Sequence, residues 1–103
     1  MSEPEAEPEI TVDELDPTTI SVVGSIDYDT VAPLRATVDR VLAAAPRGIV
    51  FDLAGVDFMD SSGLAVLIEA ANRGAEVRVR SATSAVQLTI RATGLEHLLE
   101  AER

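Results

Sequence analysis

Cysteine and lysine are both absent from the 103-residue sequence. The first absence excludes disulfides and thiolate metal sites and leaves the redox compartment unconstrained. The second makes each of the eight basic residues an arginine, a bias that carries no mechanism by itself. Aromatic residues make up only 3%, so the core must be built from Val, Leu, Ile and Ala. Nucleic-acid modules that stack bases on exposed rings are disfavoured for the same reason. Positive charge is scarce too: the net charge is −10, and no basic surface is concentrated anywhere to bind a phosphate backbone, so no nucleic-acid partner is expected. No apolar run approaches the length of a membrane span, and the start is acidic rather than basic and apolar. No membrane insertion and no signal peptide are therefore expected, with a cytoplasmic location as the default.

What is present fits one domain with one modest core, since 47% of the residues are hydrophobic. Residues 1–16 hold seven of the 18 acids and no base, leaving 11 acids against eight bases in the rest. The acidity is thus largely a property of the N-terminal arm. Residues 1–9 alternate Glu with Pro and Ala and read as a flexible acidic segment unable to bury anything. Alternation from Ile10 to Leu15 predicts a half-buried strand, Asp16-Pro17 a turn, and Thr19 to Val23 a second strand that can pair with the first. Gly24-Ser25-Ile26-Asp27 ends that strand, and Asp29-Thr30 offers a cap for a helix with Pro33 in its first turn. Val31, Leu34, Val38, Val41, Leu42 and Ala45 form its apolar stripe, and Pro46 closes it.

The stretch from Ile49 to Gly74 organises the rest. Ile49, Val50, Phe51 and Leu53 are a nearly continuous apolar run, as in a central strand. After a short bend rich in carboxylates, Leu64, Leu67, Ile68 and Ala71 recur at helical spacing. Asp60 is a good N-cap for that helix, Met59 can staple onto Leu64, and Ser61 falls at about the first helical position with Ser62 behind it. Asn72-Arg73-Gly74 supplies the other end. Glu76 to Ser81 alternates as a strand with one wet face, and Ser84 can cap a short helix carrying Ala85, Val86 and Ile90 that stops at Gly94. Leu95 to Leu99 reads equally as an edge strand or a helical turn. The alternation predicts an α/β layer structure with the helices that follow the central strands on a common side. Sites in such sheets lie beyond the carboxyl ends of the strands. Asp27 after the second strand and Asp57 to Ser62 after the third should therefore meet in space and form the functional patch.

A helix start tolerates an anion, so a phosphate on Ser61 can be carried without breaking the fold. It would add about −1.5 to −2 charges beside Asp57 and Asp60. Asp-Ser-Ser-Gly is also what an ordinary capped turn looks like. Catalysis is not expected: Ser61 has no evident base, the one histidine, His97, is far along the chain, and no nucleophile elbow is present. Asp27, Asp29, Asp57 and Asp60 lack the spacing of a calcium loop, so no metal is expected, and without a phosphate-cradling glycine loop no cofactor is expected either.

The run Phe58-Met59-Asp60-Ser61-Ser62-Gly63-Leu64, preceded by Ile49 to Leu53, resembles the STAS domains, and within them the single-domain bacterial anti-sigma-factor antagonists. Gly24-x-Ile26-Asp27 with Thr30 and Leu34, Ser84-Ala85-Val86 and Thr93-Gly94-Leu95 match in register. The resemblance implies a single STAS domain over residues 10–103, with a mixed four- to five-stranded sheet and helices packed mainly on one face. It implies a partner switch. An anti-sigma factor that is itself a serine kinase phosphorylates Ser61; the unphosphorylated chain captures that kinase and frees its sigma factor; a metal-dependent serine phosphatase restores the captured form. By the same resemblance Asp27 contributes to the interaction and Ser62 supports the helix start. The partner surface is then expected to comprise Asp27, Asp29, Thr30, Asp57, Met59, Asp60, Ser61, Ser62, Gly63 and Leu64. One departure is Ser25, at a position often acidic in the family. Short STAS proteins also resemble the cytosolic accessory subunit of lipid-transport ABC systems, where the domain clasps an ATPase and the serine is wanted chiefly as a helix-start contact.

Overall fold

The computed structural model describes residues 7–15 and 17–98. Four strands, β1 (Glu9–Asp13), β2 (Thr18–Ile26), β3 (Gly48–Met59) and β4 (Glu76–Arg80), form one sheet in the order β1-β2-β3-β4. β1 pairs antiparallel with β2, and the other two pairings are parallel, so the sheet is mixed. The parallel neighbours are joined through helices α1 (Ala32–Ala43) and α2 (Ser61–Asn72), and α3 (Ser84–Ala92) follows β4. The segment that read two ways is a single 3-10 turn over Glu96–Leu98. Most of the acidic arm, like Asp16 and Leu99, lies outside the described residues. Pro8, expected to bury nothing, is buried, and its Cα lies 3.4 Å from where a Cβ on Gly24 would sit.

One face of the sheet carries the core. Ile20 and Val22 of β2, Phe51 and Leu53 of β3, and Val77 and Val79 of β4 share a single buried cluster with Leu34, Val38 and Val41 of α1, Leu64 and Leu67 of α2, and Val86 and Ile90 of α3. The helices are therefore packed against that face, each closing its apolar stripe over the strands. Alternation in β4 leaves Arg78 and Arg80 exposed on the opposite face. The stripe of α1 is shorter than its sequence suggests. Ala44 caps the helix, and Ala45 sits exposed at φ 52°, in the left-handed region, before Pro46.

Caps and strand ends depart from expectation in an instructive way. The N-cap of α1 is Val31 with no side-chain bond; the turn Asp27–Thr30 satisfies the entering chain instead, with Val31 N donating to the Asp27 carbonyl at 2.9 Å. The cap of α3 is Thr83, one residue before Ser84, and it accepts from Val86 N. Above all, β3 does not stop at Leu53. It runs on to Met59, and β2 runs past Gly24 to Ile26, because the two pair along their whole shared length. The six residues Ser21–Ile26 of β2 face the eight residues Asp52–Met59 of β3, so β3 carries two extra residues as bulges. Those bulges convert its buried positions from alternation to a spacing of three, Leu53, Val56 and Met59. That pattern hides the strand from a reading based on period two.

Candidate functional site

The register of β2 on β3 brings the two predicted segments together. Ile26 is paired with Met59, so the next residues, Asp27 and Asp60, leave adjacent strands side by side. Asp60 N donates to the Ile26 carbonyl at 3.1 Å, which ties the start of α2 to the end of β2. Asp60 is the N-cap as expected, its Oδ1 accepting from Ser62 N at 2.8 Å, and Ser61 is the first helical residue. Its side chain is exposed. Gly63 allows this packing. A Cβ there would lie 2.7 Å from Met59 Cγ and 2.9 Å from Ile26 Cγ2, too close for any other residue without movement.

The neighbouring turn is built by Asp27 and Thr30. Asp27 Oδ1 accepts from Asp29 N at 2.9 Å, Thr30 N at 3.1 Å and Thr30 Oγ1 at 3.1 Å. The Thr30 hydroxyl also accepts from Asp27 N at 2.9 Å, and its one proton is shared between Asp27 Oδ1 and the nearer Ser25 carbonyl at 2.8 Å. Ser25 Oγ donates to Asp57 Oδ1 at 2.7 Å, linking the turn's root to β3. Asp57 is thus a bulge residue inside a strand and not part of the loop after it. The position often acidic in relatives is here a serine that holds a carboxylate.

Among the ten residues expected to meet a partner, Asp29, Asp57 and Ser61 are exposed, and Asp27, Asp60 and Ser62 are partly so. The other four are buried, where surface exposure was expected. Met59 and Leu64 are each 2% exposed and Thr30 4%, and Gly63 is buried as well. Met59 and Leu64 belong to the core cluster, and Thr30 is consumed by the turn, so these side chains shape the site from beneath and present no surface. The apolar surface lies elsewhere. Tyr28, at the tip of the Asp27–Thr30 turn, is 83% exposed, and Phe58, whose Cα is opposite Ser25, is 50% exposed. The signal available for them was the scarcity of rings: both fall in or beside the motif segments, in a chain with three aromatics.

The assembled patch is a hydroxyl at the mouth of a helix, flanked by carboxylates and two exposed rings. Among the described residues there is no group of three or more His, Cys, Asp or Glu able to hold a metal ion, and no helix long and apolar enough to cross a membrane. Such a surface is suited to protein recognition, in which a charged modification of the hydroxyl changes the fit.

Comparison with known proteins places the whole domain. A family model described as "Mlab, STAS domain" matches residues 10–100. The fold is similar to the crystal structure of an anti-sigma factor antagonist from Mycobacterium paratuberculosis, with a TM-score of 0.82 and 28% identity, covering 99% of this chain and 92% of that one. It is also similar to the anti-sigma factor antagonist SpoIIAA in its unphosphorylated form, at TM-score 0.80 and 17% identity over 92% of this chain and 89% of that one. The Bacillus cell fate determinant SpoIIAA in the phosphorylated form matches at TM-score 0.70 and 16% identity, over 92% of each chain. No curated protein sequence matches.

Proposed function

The chain belongs to the STAS domain family, matched over residues 10–100, and from that premise we propose that it is an anti-sigma-factor antagonist switched at Ser61. Its unphosphorylated form binds an anti-sigma factor that is a serine kinase and so releases the sigma factor; phosphorylation of Ser61 ends that binding, and a serine phosphatase restores it. The observation that carries the reading is the placement of Ser61, exposed at the first position of α2 with Asp60 as its cap. Asp27 and Asp57 stand on the adjoining strand ends. The helix start accepts the new dianion, so the fold survives. A partner fitted to the unmodified patch meets about two additional negative charges and three strong acceptors, a misfit worth several kcal/mol at a desolvated interface.

Incubation with candidate anti-sigma kinases and ATP, followed by mass spectrometry, tests this. One phosphate should appear on Ser61 and none on a Ser61→Ala chain. That Ala variant should hold the kinase constitutively, while Ser61→Asp should lose it. A second reading, the cytosolic STAS subunit of a lipid-transport ABC system, is kept because the description of the matching family model names no sigma-factor control. Absence of transfer to Ser61 from every kinase, together with stable association with an ABC ATPase, would replace the first reading by the second.

A further inference from the structure

Of the three aromatic residues in the chain, Phe51 is fully buried in the core, whereas Tyr28 and Phe58 are 83% and 50% exposed at the end of the sheet that carries Ser61. Resting on the reading of Ser61 as a switch, we propose that Tyr28 and Phe58 are the aromatic anchors by which the partner kinase grips the unphosphorylated chain. The exposure of Phe58 is built into the fold. β3 inserts Asp57 between the pairs Gly24↔Val56 and Ser25↔Phe58. In a regular strand of the same sequence Phe58, two residues after Val56, would share the facing of Val56, which is 0% exposed. The bulge turns the ring outward instead, and Ser25 Oγ holds the inserted Asp57 by its carboxylate at 2.7 Å. Bulges beside functional sites re-aim side chains in this way. On the neighbouring β2, Val23 is 51% exposed two residues before Ser25, so Phe58 has an apolar companion across the strand pair. Tyr28 is presented by the turn that Asp27 Oδ1 and the Thr30 hydroxyl brace, and its side chain makes none of those bonds.

The surroundings select the occupant. Asp27 and Asp29 flank Tyr28 in sequence, and Asp57 and Asp60 bracket Phe58, in a chain of net charge −10, which repels phosphate backbones and anionic headgroups. What fits is a protein surface with an apolar pocket for the rings and a rim of Arg or Lys for the carboxylates, where a guanidinium can also stack on Tyr28. Rings desolvated at the centre of an interface carry most of its energy, with charges at the rim setting rate and choice of partner. Ser61 follows Phe58 by three residues at the same end of the sheet, so its phosphate adds charge to the rim of this surface.

The test places p-benzoylphenylalanine, a photo-crosslinking ring, at position 28, 58 or 15 of the full chain in its own host. Leu15, 73% exposed before β2 and so at the opposite end of the sheet, is the control. Irradiation should join positions 28 and 58, but not 15, to an ATP-binding serine kinase. Adducts at 28 and 58 with an ABC ATPase would keep the aromatic surface and overturn the kinase as its occupant. Adducts with any other protein would likewise overturn that occupant, and no adduct at 28 or 58 above the level at 15 would overturn the surface itself. With the captured partner purified, Tyr28→Ala and Phe58→Ala should each weaken binding about thirtyfold, the size of a hot-spot truncation. Affinities of both variants within about threefold of the unchanged chain would refute the assignment.

Discussion

At the scale of single residues, the site depends on contacts beneath the surface as much as on the hydroxyl above it. Gly63 is the clearest case. Alanine is intrinsically better in a helix than glycine by about 1 kcal/mol, which by itself favours Gly63→Ala. Against this, the added methyl would stand 2.7 Å from Met59 Cγ and 2.9 Å from Ile26 Cγ2, and Met59 is 2% exposed with no room to swing away. Overpacking of this kind typically costs about 1–3 kcal/mol and should win. Urea unfolding of Gly63→Ala should therefore show a lower midpoint than the unchanged chain, and a rise would show that the helix start has slack. Ser61→Ala is the contrasting control. Ser61 is exposed and its side chain caps nothing, so its stability should stay within about 0.5 kcal/mol and its effect on binding can be read without correction.

At the scale of elements, the end of β3 is held from two sides. Asp60 N ties it to β2, and the Thr83 hydroxyl before α3 donates to the Val56 carbonyl at 3.0 Å while accepting from Val86 N at 3.4 Å. Thr83 is thus both a helix cap and a clamp on the bulged segment. Thr83→Val keeps the shape but removes both bonds, and should destabilise the domain by about 1–3 kcal/mol. Thr83→Ser should recover most of that loss, which differential melting of the two variants will show. The ion pairs joining α1 to α2 do less. Arg35 with Glu69 and Arg73 with Asp39 are both at 2.6 Å, yet their side chains are 41–59% exposed. Water and salt screen such pairs to about 0–1 kcal/mol each, so they guide the packing of the helices more than they secure it.

For the molecule as a whole, the proposed switch is expected to be local. Leu64, Leu67 and Ala70 anchor α2 in the core, and hydrogen bonds to Asp27 and from Thr30 brace the turn before α1. A phosphate on Ser61 should leave the backbone in place and act through charge and shape at the interface. Amide chemical-shift changes between free and phosphorylated chain should be confined to the Asp27–Thr30 turn, the end of β3 and the first turn of α2. Changes spreading across α1 and β4 would show a rearrangement and overturn the local account.

The sequence by itself determined the order of strands and helices, the single domain and the start of α2, because periodicity, capping chemistry and glycine placement are local properties. Asp60 as N-cap, Ser61 at the first helical position and Gly74 in the left-handed conformation after the helix all follow from near neighbours. Tertiary structure decided what local pattern cannot encode. The length of β3 came from pairing with β2, which stabilises Ala54 to Met59 as strand despite two bulges that erase the alternation. The same pairing chose which apolar residues face water: it drew Met59 and Leu64 into the core, against the expectation that they meet a partner, and turned Phe58 out. Register is a relation between two strands, and no property of either one alone states it.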